Sequence, residues 1–94
     1  MNVKVKVFAA LRELLGTREV DVNVLEGATL SDVLEKLVEK YGSPLKNYLF
    51  SDDGELKPHF TIYVNSVGIN ELSGLKTPLK EGDVIAILPP VSGG

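Results

Sequence analysis

Apolar and polar residues alternate along Val3-Lys4-Val5-Lys6-Val7, and again along Val20-Asp21-Val22-Asn23-Val24. A period of two sends successive side chains to opposite faces, so each segment reads as a strand with one buried face. Between them lies Phe8-Ala9-Ala10-Leu11-Arg12-Glu13-Leu14-Leu15, in which Leu11, Leu14 and Leu15 fall at helical spacing. Gly16 follows and can take the left-handed turn that closes a short helix. The two strands are therefore expected to be antiparallel neighbours joined by a helical turn. Arg12 and Glu13 on that turn read as a weak surface pair.

The period then changes from two to 3.6. Leu30, Val33, Leu34, Leu37, Val38 and Tyr41 follow the i, i+3, i+4, i+7, i+8, i+11 pattern and form one stripe. Asp32, Glu35, Lys36, Glu39 and Lys40 take the other face, where Asp32 can pair with Lys36 one turn on. Thr29 is a good N-cap, with Asp32 at the third helical position completing an imperfect capping box. The spacing predicts a helix over Leu30–Tyr41, stopped by Gly42 and kept from resuming by Pro44.

Ser43 to His59 is a long connection, with a short helical turn expected around Leu45–Leu49 and turn chemistry at Ser51-Asp52-Asp53-Gly54. A strand resumes at Phe60-Thr61-Ile62-Tyr63-Val64-Asn65. Ser66 to Lys76 reads as a loop with room for a brief strand near Val67–Ile69. Leu79-Lys80-Glu81-Gly82-Asp83 turns the chain into Val84-Ile85-Ala86-Ile87-Leu88. Five consecutive apolar residues suggest a strand buried on both faces at the centre of a sheet. This order of elements is that of an α+β domain, a β-grasp: a mixed sheet crossed by one main helix, with the C-terminal strand beside the first.

Ninety-four residues make one domain, read here as a body over 1–88 and an extended tail over 89–94. The composition, 44% apolar and 24% charged with a formal net charge of −3, is that of an ordinary soluble protein. No basic block points to nucleic acid. No apolar run approaches a membrane span, and the N-terminus lacks a signal-peptide core. The cytoplasm is the expected location. Cysteine is absent, which removes disulfides, thiolate nucleophiles, persulfide carriers and Cys-based metal sites. Sulfur handled by this chain would have to sit on something other than a side-chain thiol. Gln is also missing and Met occurs once, which is faintly consistent with a heat-adapted source.

Little in the body reads as catalytic. His59, the only histidine, lacks an organised partner and reads as a surface residue at the start of a strand. Asp52 and Asp53 read as a solvated turn rather than metal ligands. Gly68 and Gly74 belong to no phosphate-cradling pattern. The chemistry concentrates instead at Pro89-Pro90-Val91-Ser92-Gly93-Gly94. The prolines favour a stiff extended chain, and glycine lets a terminal carboxylate enter a narrow site. Six residues at roughly 3.3 Å each would carry that carboxylate about 20 Å from the body. At neutral pH it is an anion and a poor electrophile, so it must first become something like an acyl-adenylate. The chain has no nucleotide motif, binds no cofactor or metal by this reading, and leaves ATP to an activating partner. A sulfur donor would then yield a thiocarboxylate, and a lysine amine an isopeptide bond.

Four segments together, Phe8-Ala9-x-Leu11-Arg12-Glu13-Leu14-x-Gly16, Val64-Asn65, Thr77-Pro78-Leu79-Lys80-Glu81-Gly82-Asp83 and Pro89-Pro90-Val91-Ser92-Gly93-Gly94, resemble the MoaD-type small subunit of molybdopterin synthase, within the MoaD/ThiS sulfur carriers. The resemblance spans nearly the whole chain. It implies a ubiquitin-like β-grasp whose C-terminal glycine is adenylated by a MoeB-type enzyme and converted to a thiocarboxylate. The tail would enter a large MoaE-type subunit, within a heterotetramer, and give sulfur to the pyranopterin precursor of molybdenum (or tungsten) cofactor. It makes Gly94 the carrier and Gly93 the thin neck before it. Phe8 and Leu88 become apolar contacts with the large subunit, and Pro89, Pro90, Val91 and Ser92 the inserted segment. The long Ser43–His59 connection and extended Val67–Lys76 loop resemble archaeal-type variants, some of which also modify proteins. Three readings follow: a sulfur carrier subunit, a ubiquitin-like modifier joined to target lysines through Gly94, and a plain β-grasp interaction module. A thiamine-pathway carrier is a near relative of the first and ranks below it.

Overall fold

The structure, a computed structural model, describes residues 1–89. Strand β1 (Asn2–Val7) leads into helix α1 (Ala9–Leu15), β2 (Glu19–Asn23) and helix α2 (Leu30–Tyr41). Helix α3 (Ser43–Leu49) and β3 (Thr61–Val64) follow, then β4 (Val67–Gly68), two single 3₁₀ turns and β5 (Val84–Leu88). The five strands lie in the order β2-β1-β5-β3-β4. β1 and β5 are parallel, with Lys4 opposite Val84 and Val7 opposite Ile87, and the other pairs are antiparallel. This is the β-grasp order, with the last strand in the centre beside the first.

Alternation in β1 and β2 points Val3, Val5, Val7, Val20 and Val22 to one face, where Ile62, Val64, Ile85 and Ile87 join them. α2 covers that face with Leu30, Val33, Leu34 and Leu37, all 2% exposed or less, and Val38 and Tyr41 lie at its margin. α2 has the bounds its stripe predicts. Its N-terminus is closed by Asp32, whose Oδ2 accepts the Thr29 backbone N–H at 2.9 Å. That carboxylate is committed to the cap, and no ion pair with Lys36 forms. The one ion pair among the described residues joins Lys4 to Glu19 at 3.6 Å.

Three expectations need correction. Gly42 ends α2, but a new helix starts at once, with Pro44 in its first turn. Proline lacks an N–H that the first turn leaves unpaired in any case, so it starts a helix as readily as it blocks one. The expected turn at Leu45–Leu49 is thus the latter part of α3, and Leu45 and Leu49 are core residues. Leu14, the second of the three α1 leucines, is 39% exposed, because a seven-residue helix presents only Leu11 and Leu15 to the core. β5 is central but not sealed on both faces. Ile85 and Ile87 are buried under α2, whereas Val84, Ala86 and Leu88 are only partly covered, with no second layer on their side among the described residues.

The brief strand expected near Val67–Ile69 is Val67–Gly68, reached through a two-residue turn in which Asn65 (φ 49°) and Ser66 (φ 71°) are left-handed. Asn is among the residues that tolerate this conformation, as a tight hairpin turn of this kind requires. Its side chain also holds the start of β5: Oδ1 accepts the Val84 N–H at 2.9 Å and Nδ2 donates to Asp83 Oδ1 at 2.9 Å. Asp83 in turn accepts the Lys80 N–H at 2.8 Å. In the Ser51–Gly54 turn, the Asp53 carboxyl is held below its usual range, first by the Ser51 hydroxyl and then by the Glu55 N–H.

Leu37 lies at the centre of the helix–sheet layer. Leu37→Ala is expected to lower the free energy of unfolding by roughly 2–5 kcal/mol through lost transfer energy and a cavity, measured by denaturant titration.

Candidate functional site

Among the described residues the sheet has one face under α2 and one without a covering layer. Pairing sets out the second face row by row: Lys6, Ala86 and Tyr63 lie side by side, with Gly68 beyond them, and Lys4 neighbours Val84. Lys6, Tyr63, Asn65, Ser66, Val84 and Ala86 line a shallow hollow there. None of Tyr63, Val84, Ala86 or Leu88 belongs to the core cluster or packs against it. The face is apolar along β5 and cationic along β1.

The end of this face is where the chain leaves the sheet. Val7 and Ile87 are paired, so Phe8 and Leu88 are the next residues out on adjacent parallel strands. Phe8 keeps extended geometry (φ −138°, ψ 158°) and so continues the alternation away from the buried Val7. It is partly covered and, like Leu88, stands outside the core cluster. The structure thus brings Phe8 and Leu88 to one corner, with Pro89 directly following. Pro90, Val91, Ser92, Gly93 and Gly94 lie outside the described residues.

Phe8 is followed by Ala9 at φ 52°, a left-handed conformation that costs an L-residue roughly 1–2 kcal/mol. One turn on, Arg12 folds back: its guanidinium carbon lies 5.5 Å from the centre of the Phe8 ring. One terminal nitrogen donates to the Val7 carbonyl over a long 3.4 Å, and among the described residues the buried Nε has no hydrogen-bond partner. The surface pair with Glu13 does not form; adjacent helix positions diverge by about 100°, and the strand end draws Arg12 away.

Elsewhere the structure offers less. A wider cleft runs between the β2–α2 loop and α2, lined by Asn23 to Ala28 with Asp32, Glu35, Lys36 and Glu39. It lies at the far end of the sheet, since Asn23 pairs with Asn2 at the start of β1. Among the described residues no three His, Cys, Asp or Glu side chains are grouped to hold a metal ion, and His59 is exposed. No helix among them is long and apolar enough to cross a membrane. Sequence reasoning missed Tyr63, Val84, Ala86 and Lys6 as parts of an open face. It also missed the structural use of Asn65 and Asp83, for which Asn65-Ser66 between apolar runs was an available signal.

Comparison with known proteins fits this geometry. A family model described as the ThiS family matches residues 5–94. Small archaeal modifier protein 3 of Haloferax volcanii is 34% identical over 94 residues, the whole of both chains. The molybdopterin synthase sulfur carrier subunit of Drosophila yakuba is 37% identical over 95 residues, covering all of this chain and 92% of that one. The crystal structure of SAMP1 from Haloferax volcanii superposes with a TM-score of 0.87 at 37% identity over the full length of both chains.

Because Phe8 stands outside the core, Phe8→Asp should leave the isolated domain folded. The expected loss is under about 1.5 kcal/mol, against roughly 3–5 for truncating a core phenylalanine. A thermal melt decides this, and unfolding would return Phe8 to the core.

Proposed function

The chain belongs to the ThiS family, of the ubiquitin-like β-grasp fold, and from that premise we propose that it is a sulfur carrier working through Gly94. The observation that carries this reading is the position of β5. The strand leading to the tail is held between β1 and β3, and its outer end adjoins Phe8 on a face that no other layer of the described residues covers. A partner gripping that corner would hold the base of the tail in a fixed position.

Gly94, as an anionic carboxylate, attacks the α-phosphorus of ATP on a MoeB-type adenylating enzyme, and pyrophosphate leaves. A donor of sulfide-level sulfur then attacks the acyl carbon, AMP leaves and the S–H proton goes to solvent, giving a thiocarboxylate. Gly93 keeps the approach thin, and the tail segment Pro89–Ser92 lies in the partner's channel. With a MoaE-type large subunit, into which Phe8 and Leu88 pack, the thiocarboxylate sulfur bonds to the pyranopterin precursor of molybdenum or tungsten cofactor, and water then cleaves the acyl C–S bond and returns Gly94 to a carboxylate. We propose the cytoplasm, where ATP is supplied, as the compartment. The small subunit contributes no acid, base or metal to these steps. Its part is to deliver an activated carbonyl to the right place, and positioning of this kind accounts for large rate factors.

A second reading, conjugation of Gly94 to target lysines, is favoured by the likeness to small archaeal modifier protein 3. Both readings share the adenylation step. Intact mass of the protein purified from its host separates them: a thiocarboxylate exchanges one oxygen for sulfur, whereas conjugation leaves branched Gly-Gly remnants on other proteins.

Deleting Gly93 and Gly94 is expected to abolish ATP–pyrophosphate exchange by the adenylating enzyme while leaving the melting temperature unchanged. The deletion removes about 6–7 Å of reach, and misplacement by even ~1 Å can cost on the order of 100-fold. Exchange retained by the truncated protein would reject carrier and modifier alike, leaving an interaction module.

A further inference from the structure

Leu25 is 85% exposed, while every other large apolar side chain among the described residues is exposed by 42% or less. A lone apolar residue on a surface needs no explanation. This one differs, because its turn is clamped on both sides. Val24 before it and Ala28 after it are buried. The Val24 N–H donates to the Met1 carbonyl at 2.9 Å, and the Ala28 carbonyl accepts the Leu79 N–H at 3.0 Å. Across the turn itself the Ala28 N–H donates to the Leu25 carbonyl at 3.1 Å, and Gly27 supplies the left-handed step at φ 85°. Leu25 is therefore held away from the body by a fixed frame. Tucking it in would break those bonds.

Beside the turn lies the cleft against α2, with a volume of about 540 Å³, a size common among binding clefts. Its rim is acidic. Glu26 stands on the turn and Glu35 and Glu39 on α2, while Asp32 is engaged by the helix cap and Lys36 is the rim's one cation. Four carboxylates against one ammonium give the cleft a formal −3, which is the net charge of the whole chain. The remainder of the molecule is balanced. Glu35 and Glu39 are one turn apart, a like-charge spacing that weakens a helix, and among the described residues neither forms an ion pair. Acidic side chains alone would mean only a solvated surface. Here they border an apolar side chain that the fold holds outwards, and both features suit one kind of occupant.

We propose that the Leu25 turn and its cleft dock a basic protein segment, an apolar side chain of that segment packing on Leu25 while its lysines or arginines meet Glu26, Glu35 and Glu39. The charge argues against polyanions, since nucleic acid and anionic membrane surfaces are repelled. A second copy fits less well, because the cations along β1 include Lys4, already engaged by Glu19. Position adds a consequence. The turn follows Asn23, which pairs with Asn2, whereas Phe8 and Leu88 adjoin the opposite end of β1. The length of β1 separates the two ends by about 17 Å. The surface therefore stays accessible while the tail's end of the sheet is occupied, and the proposal does not rest on any reading of Gly94.

The test titrates the isotope-labelled full chain with an acetylated peptide of lysine-lysine-leucine repeats, and with a twin carrying serine for each leucine, following backbone amide shifts by NMR. The amides of Leu25, Glu26, Glu35 and Glu39 are expected to move, and those of Lys6, Tyr63 and Ala86 to stay. The leucine peptide should bind on the order of 10-fold tighter than its twin, the range for burying one apolar side chain. Leu25→Ser should remove that advantage with no fall in melting temperature, since the side chain it replaces is exposed. Glu35→Gln combined with Glu39→Gln should weaken both peptides about 3- to 10-fold and flatten the salt dependence.

Equal affinity for the two peptides, or shifts spread over the whole acidic surface, would reduce the cleft to diffuse electrostatics and overturn the proposal. Leu25→Ser that still prefers the leucine peptide would overturn it as well. Sedimentation showing wild-type dimers that Leu25→Ser breaks would replace the basic segment by a second copy and overturn the choice of occupant.

Discussion

β5 forms backbone ladders with β1 on one side and β3 on the other, while Ile85 and Ile87 sit under α2 at 0% and 1% exposure. Pulling this strand out would break two ladders together and open the core along its middle. The Asn65 side chain adds a further hold on the strand's first residue, and Asp83 fixes the turn before it. Segments that carry the family resemblance, Val64-Asn65 and the run ending in Gly82-Asp83, are therefore the ones that seat β5. Their work is mechanical support for the strand that bears the tail.

The same strand gives the molecule its two unlike faces. One is closed by α2 and completes the core. The other carries apolar residues along β5 and lysines along β1, ending at Phe8 and Leu88. An open sheet face of mixed character suits a surface that binds and releases. A partner on this face would meet apolar contact area along β5 and charged side chains at its margin.

α2 was legible to the residue because stripe, cap and terminating glycine all agree on its bounds. The β1–β2 pair and the central place of β5 also follow from pattern and element order. Pro44 misled because proline starts helices and stops them, and only the chain path after Gly42 decides which. The outer face of β5 was hidden for a different reason: Val84, Ala86 and Leu88 are apolar whether covered by a layer or left for a partner. Arg12 was misread because its partners come from the end of β1 and the ring of Phe8, not from its neighbour in sequence. The corner formed by Phe8 and Leu88 was legible through phase and resemblance, while Pro90 to Gly94 fall outside the described residues.

The parallel pairing of β1 with β5 joins residues about eighty positions apart, Lys4 with Val84. Until β5 arrives, the sheet is two separate pieces, β2–β1 and β3–β4, with an empty slot between them, and two-stranded pieces of this kind are marginal alone. Strand β5 is also the last of these elements to be synthesised, since the chain is made from its N-terminus. Nascent or prematurely terminated chains would thus lack both the finished sheet and the Phe8–Leu88 corner. Completion of the sheet and assembly of the corner become a single late event, so an incomplete chain presents neither.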